Sequence, residues 1–237
     1  VEEDYAQTIL SDDPIGYWRL GENSGNTAYD YSGQNAHGTL HNTPNQGQSG
    51  RVGSSSDDDD TAYSFDGGGT PDLETDDYIS ADAVTAGLIE HELTFEGWIY
   101  VSSLGSSTDY ILSFNPSSNG NSVMLGYRHG DNKFRLAVQK SNGSTYSTYP
   151  DYTSNLNTWH HVAVTWDSSN DVELFINGES AFTLNAVNDN TPDYFPDSSY
   201  RFSIGHEYDG SNPSNFLKGK VDEVAVYNTV LSLSQIQ

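Results

Sequence analysis

The chain has 237 residues and carries 34 Asp plus Glu against 9 Lys plus Arg, a formal net charge of −25. A negative field of that size repels phosphate backbones and sets nucleic-acid binding aside, while the absence of Cys excludes a disulfide framework, thiol catalysis and thiolate metal sites. Only 34% of residues are hydrophobic, which with this charge borders on a disordered composition, yet 4 Trp, 16 Tyr and 9 Phe supply apolar bulk for a core.

No apolar run approaches the roughly 18 to 20 residues needed to cross a bilayer, so membrane insertion is not expected. No basic-then-apolar leader opens the chain, so any secretion signal is expected to have been removed or to lie outside it. Asp supplies 23 of the 34 acids, and the Lys residues are Lys133, Lys140, Lys218 and Lys220. Two compatible readings follow. An Asp-rich surface stays hydrated in concentrated salt, where charges are screened over about 3 Å at 1 M. Some carboxylates can also gather around divalent cations, for which they are hard ligands.

In chain order, strand-like runs separated by Gly, Asn, Asp and Ser cover residues 16–20, 61–65, 77–81, 93–101, 110–114, 122–128 and 133–139, then 161–166, 172–176, 201–206 and 220–227. Alternation is plainest in Lys133-Phe134-Arg135-Leu136-Ala137-Val138-Gln139, a strand with one wet face. Asn177-Gly178 predicts a type I′ hairpin, because that turn needs positive φ twice. His129-Gly130-Asp131-Asn132 predicts a second one. Residues 42–60 and 185–200 read as long loops. No long stretch shows a 3.6-residue apolar period, and the one helix signal is the capping box Ser232-Leu233-Ser234-Gln235. The chain stops two residues later, as expected of one domain trimmed from a longer surface protein. A dozen short strands without a composition shift predict an all-β, two-sheet antiparallel sandwich, a jelly roll with a short C-terminal helix. Trp18, Trp98 and Trp166 fall inside strand runs and are expected to fill the space between the sheets.

Three stretches resemble a known family. They are Pro14-Ile15-Gly16-Tyr17-Trp18-Arg19-Leu20-Gly21-Glu22 with Asp30-Tyr31-Ser32-Gly33 and Asn35-Ala36-His37-Gly38; Trp159-His160-His161-Val162-Ala163-Val164-Thr165-Trp166-Asp167 with Leu174-Phe175-Ile176-Asn177-Gly178; and Val221-Asp222-Glu223-Val224-Ala225-Val226-Tyr227 with Leu231-Ser232. The set is similar to the laminin-G-like jelly rolls of the concanavalin A-like lectin/glucanase superfamily. That resemblance implies paired first and last strands and one structural calcium ion near the joined termini. Transferred by position, the implied ligands are Glu22, Asp30, Asn35 and Asp222. The alternative is that Asp30 organises its own turn and Asp222 bonds to neighbouring backbone.

Glucanases of this superfamily place two Glu around an Asp on one strand, so that acid and nucleophile share a face. No such run occurs here. Glu96 is the only acid on its strand, and Asp171-Val172-Glu173 is followed by no acid before Glu179. His91-Glu92 lacks the second His of a zinc protease helix, and no Gly-x-Ser-x-Gly elbow occurs. His160 and His161 are expected on opposite faces of a strand, in structural roles. The run from Asp57 to Asp60 reads as a solvated loop, because adjacent like charges repel.

Sugar sites combine an aromatic face with polar side chains for hydroxyls. Two turns have that composition, one with Tyr127, His129 and Asp131, the other with Tyr208 and Asp209; Tyr146, Tyr149 and Tyr152 form a third cluster. The sequence therefore reads as a non-catalytic binding domain, stabilised by Ca2+, located extracellularly on a cell or virion surface. Its expected partner is carbohydrate or a glycosylated surface. The alternative is a structural or adhesion module that binds other chains of a surface or virion assembly; a glycoside hydrolase ranks behind both, since carboxylates distant in sequence can still meet in space.

Overall fold

The computed structural model describes residues 2–51, 60–67, 76–88, 92–102, 108–116, 122–139, 145–150, 155–169, 171–185, 200–209 and 212–237. Helix α1 (Glu2–Ser11) comes first, followed by β1 (Gly16–Trp18), β2 (Thr27–Ala28), β3 (Gly38–His41), β4 (Asn45–Ser49), β5 (Thr61–Asp66) and β6 (Tyr78–Ser80). A 3-10 turn at Asp82–Gly87 leads into β7 (Leu93–Val101), β8 (Thr108–Pro116), β9 (Ser122–Arg128), β10 (Lys133–Gln139) and β11 (Thr145–Thr148). The chain continues through β12 (Trp159–Trp166), β13 (Val172–Ile176), β14 (Glu179–Leu184), β15 (Tyr200–Ile204), β16 (Glu207–Asp209), β17 (Asn212–Ser214) and β18 (Lys218–Tyr227), and closes with α2 (Leu233–Ile236).

Two antiparallel sheets form the sandwich. The first runs β14-β13-β12-β7-β18-β5-β4, with β1 also paired to β18; the second runs β11-β10-β9-β8-β15-β6-β3-β2. The first and last strands are joined as expected, with Tyr17 opposite Ala225 and Trp18 opposite Val224. Asn177 and Gly178 both have positive φ, at 53° and 76°, as the type I′ hairpin requires.

Alternation along each strand sorts side chains into layers. Phe95, Ile99 and Val101 of β7 enter the main core with Trp18, Phe114, Phe134, Trp166 and Phe202. Trp98 does not. It stands half-buried on the opposite face of β7, because it is one residue out of phase with Phe95 and Ile99.

That outer face carries a second apolar cluster in which Tyr17, Ala163, Phe175, Ala225 and Tyr227 meet Ile9 and Leu10 of α1 and Ile236 of α2. Both terminal helices therefore lie on the outside of the first sheet. Burying a side chain such as Ile9 there contributes about 1.5–3 kcal/mol. Helix α1 departs from the expectation of a single, C-terminal helix. Its apolar stripe, Tyr5, Ala6, Ile9 and Leu10, is short, and packing on the sheet rather than intrinsic propensity holds it.

The expected loop over residues 42–60 contains strand β4, which pairs with β5. Its sequence, Asn-Gln-Gly-Gln-Ser, offers no apolar alternation, and its residues are exposed or half-buried as suits a sheet edge. Strand β11, at an edge of the second sheet, is polar and exposed for the same reason. Residues 186–199 of the other expected loop lie outside the described residues.

Candidate functional site

Where β18 runs beside β7 the register slips, with Asp222 opposite Trp98 but Ala225 opposite Glu96. Glu223 sits in this bulge with φ 51°. Such bulges re-aim side chains. Two adjoining polar sites result on the outer face of the first sheet.

The first is a cavity of about 620 Å3 roofed by α1 and the C-terminal residues, with Trp98 of β7, Trp159 of β12, Arg51 and Asn177 in its walls. Glu96 lies at its base, 2% exposed. Its Oε1 accepts the Tyr227 hydroxyl at 2.7 Å, and its Oε2 lies 3.2 Å from His161 Nε2. Trp98 Nε1–H donates to the Tyr5 hydroxyl at 3.0 Å, and the Arg51 guanidinium lies 4.4 Å from the Trp98 ring centre. Burial, followed by the charges of Glu96 and Glu223, holds the Tyr5 hydroxyl well above the usual phenol range. Half-buried indoles beside Arg, Asn and His donors match the chemistry of a sugar ring, with C–H faces on the aromatics and hydroxyls on the polar groups; the volume lies within the roughly 300–1,000 Å3 of small-ligand sites.

The second site is acidic. One carboxylate oxygen from each of Asp60, Asp222 and Glu223 lies within 4.8 Å of the others. Asp222 is 0% exposed. Its Oδ2 accepts the Arg51 backbone N–H at 2.7 Å, and its Oδ1 has no hydrogen-bond partner among the described residues. Glu223 accepts a short hydrogen bond from the Tyr17 hydroxyl and another from Arg19 Nε at 3.1 Å. Burial raises both the Asp222 and Glu223 carboxyls, and Glu223 adds to the shift of Asp222. Asp60, expected in a solvated loop, is instead half-buried beside these two. Asp57 to Asp59 lie outside the described residues.

Of the four calcium ligands implied by resemblance, only Asp222 belongs to this group. Asp30 accepts three backbone N–H groups, from Tyr17 at 2.9 Å, Ser32 at 2.8 Å and Ala36 at 2.9 Å. Those three bonds engage both carboxylate oxygens and make Asp30 the organiser of its turn. Glu22 accepts from Tyr29 N–H at 2.9 Å and the Tyr63 hydroxyl at 2.6 Å. Asn35 is exposed, in a left-handed conformation with φ 59°. An oxygen-seeking ion therefore fits the group made by Asp60, Asp222 and Glu223 better than the transferred quartet, because the unpartnered buried oxygen belongs to that group.

The two sugar-like turns lie near opposite ends of β8, with Arg128 opposite Thr108 and Tyr208 N–H on Asn115. Tyr127 is enclosed in the core and offers no face to a ligand, since β9 alternation points it inward. His129 is buried with Nε2 2.8 Å from Asp109, and Asp131 pairs with Arg128. Arg128 in turn covers the Tyr149 ring at 3.6 Å. Tyr208 is half-buried under Arg201, 4.4 Å from the ring centre, and the Asp209 side chain and Tyr152 lie outside the described residues. Sequence reading missed Arg51, Trp98 and Tyr5 as partners. The available signal was the shared face of Glu96 and Trp98 on β7 and of His161 on β12, since Trp98 and His161 are register partners. Their rings lie 5.2 Å apart.

Two antiparallel sheets closed by pairing of the first and last strands define a jelly roll of the lectin-like class. The chain belongs to the Laminin_G_3 family, in the concanavalin A-like lectin/glucanases superfamily, whose model matches residues 73–237. Domain 4 of AbnA, a GH43 extracellular arabinanase from Geobacillus stearothermophilus solved in complex with arabinotriose, is similar with a TM-score of 0.66 at 20% identity, over 94% of this chain and 96% of that chain. The binding domain of botulinum neurotoxin serotype D gives 0.69 at 18% identity, over 97% of this chain and 51% of its own. The receptor binding domain of botulinum neurotoxin mosaic serotype C/D gives 0.68 at 18%, over 96% and 50%. This chain thus spans about half the length of the toxin chains. Identities this low carry the fold alone. No curated protein sequence matches the chain. Among the described residues, no helix is long and apolar enough to cross a membrane.

Proposed function

We propose that this chain is a non-catalytic, extracellular carbohydrate-binding domain, stabilised by calcium, with an acid-rich surface suited to concentrated salt. The observation that carries the reading is the cavity walled by Trp98 and Trp159, which puts indole surface, one Trp98 face of it under the Arg51 guanidinium, beside His161 and Asn177. The complex of the arabinanase domain with arabinotriose supports short oligosaccharides as the first ligands to try. The engagement of both Glu96 oxygens supports a binding role, since that carboxylate is held by Tyr227 and His161.

The test is a glycan array followed by calorimetry with arabino-oligosaccharides, both in molar salt with calcium. Saturable binding that Trp98→Ala abolishes in a folded protein is the expected result. Failure of every glycan overturns it in favour of an adhesion or virion module with a protein partner.

A further inference from the structure

We propose that the cavity beside Trp98 selects an acidic sugar, a uronate, and that Arg51 and Tyr5 recognise its carboxylate. That selectivity rests on the carbohydrate-binding reading above and names the class of sugar. Both residues precede the stretch 73–237 that the family model matches, so the match carries no role for either.

A neutral sugar hydroxyl both donates and accepts, so a site built for it needs open acceptors as well as donors. Here the acceptors are used up. Glu96, the one acid among the described lining residues, is 2% exposed and has its two oxygens on Tyr227 and His161. Asn177 accepts the His161 N–H at 3.0 Å and turns its Nδ2 to His160 Nδ1 at 3.3 Å. What stays open is a pair of donors. The Tyr5 oxygen accepts from Trp98 Nε1–H, and among the described residues nothing accepts the phenol's own hydrogen. Burial and the charges of Glu96 and Glu223 keep that hydrogen in place. Arg51 is exposed, and its guanidinium has no carboxylate partner among the described residues, in a chain with 34 acids against 9 Lys plus Arg.

Both donors rest on one indole. The guanidinium lies 4.4 Å from the Trp98 ring centre and the Tyr5 oxygen 3.0 Å from its Nε1, so one stands over the face and the other at the edge. A sugar carboxylate beside Trp98 meets both. The guanidinium offers it two parallel N–H groups, and the phenol adds an O–H. The chain's net charge of −25 opposes the approach of an acid at low salt. In molar salt that field is screened over about 3 Å, while a direct pair inside a cavity is screened much less. The calcium of the proposed function offsets the neighbouring charge of Asp60, Asp222 and Glu223.

The test is calorimetry on the full chain in calcium and molar sodium chloride. Trimers of galacturonate and of mannuronate are compared with the neutral galactose and mannose trimers of the same linkage, and with arabinotriose. The expected result is a uronate trimer that binds about tenfold or more tighter than its neutral counterpart. In Arg51→Gln that ratio is expected to fall to about twofold or less, and Arg51→Lys, which keeps the charge without the fork, is expected to retain part of it. Tyr5→Phe is expected to lower the same ratio about fivefold, a change that mere loosening of the roof would not produce. Arg128→Gln, on β9 of the other sheet, is expected to leave it unchanged. Far-UV circular dichroism identifies any variant that fails to fold; Arg51 is exposed and Tyr5→Phe keeps its ring, so each stands in for the other. Measurable but equal affinity for uronate and neutral trimers, or a uronate preference kept in a folded Arg51→Gln, overturns the inference and leaves the carbohydrate-binding reading standing. Binding of none of these saccharides overturns both.

Discussion

Tyr227 donates its hydroxyl to Glu96 Oε1 at 2.7 Å, joining the last strand to β7 beneath the cavity. Burial and the Glu96 charge hold the phenol well above its usual range, so at any physiological pH it is a donor. Tyr227→Phe leaves a buried carboxylate oxygen unpaired, and a loss of about 1–3 kcal/mol in urea unfolding is expected. An unchanged midpoint would mean that Glu96 finds a replacement donor.

Asp30 and Asp222 are both buried acids near the paired termini, but they differ in kind. Asp30 is satisfied by three N–H groups, whereas Asp222 has one oxygen unpartnered among the described residues. Asp30→Ala is therefore expected to cost about 3 kcal/mol, equally with calcium and with EDTA. Asp222→Asn is expected to destabilise the protein in calcium and to have little effect, or a stabilising one, in EDTA. Thermal melts in low salt check both, and a calcium-dependent cost for Asp30→Ala would return that residue to the ion.

Removal of calcium from the unmodified chain is expected to lower the melting temperature at low ionic strength. The fall should shrink in molar salt, where screening weakens repulsion within the half-exposed part of the cluster. Identical melts with and without EDTA at low salt would remove the ion from the account of stability.

His206 is fully buried between the rings of Tyr78, at 4.2 Å, and Tyr208, at 4.6 Å. Burial pushes its pKa down to about 3. The unfolded chain takes up a proton near pH 6.5 that the folded chain refuses, so stability falls as pH drops from 6.5 towards 3, by at most about 1.4 kcal/mol per unit. His206→Leu is expected to flatten that part of the stability profile between pH 7 and 4. A parallel profile would assign the acid sensitivity elsewhere.

Asp77 shows the opposite sign. Burial and the neighbouring Asp66 raise its pKa to about 7, so between about pH 4 and 7 the folded state binds the extra proton. Stability from this group is highest at the acid end and is lost as pH rises through 7. Asp77→Asn is expected to stabilise the chain at pH 8 and to matter little at pH 4, as measured by urea midpoints.

The strands with an apolar stripe were legible: 93–101, 122–128, 133–139 and 172–176 were expected with the bounds they have. Polar edges were not, since β4 and β11 are held by a neighbour's backbone and show no alternation of their own. Helix α1 announces itself only weakly, by Tyr5, Ala6, Ile9 and Leu10 after an acidic start. For the sites, the paired termini were foreseen, but which acids meet there depends on a bulge at Glu223, and a slip of register leaves no mark in composition. The sugar-like turns failed as patterns for a related reason. Tyr127 and Trp98 look equivalent in sequence, and only strand phase decides that one is core and the other surface.

The position of the two helices has a practical consequence for any binding assay. Thr8 near one end of the chain and Gln237 at the other both border the cavity. A purification tag or sensor-chip linker joined at Gln237 would crowd the mouth of the site under study. Attachment through Lys133, on the far sheet, leaves that entrance clear.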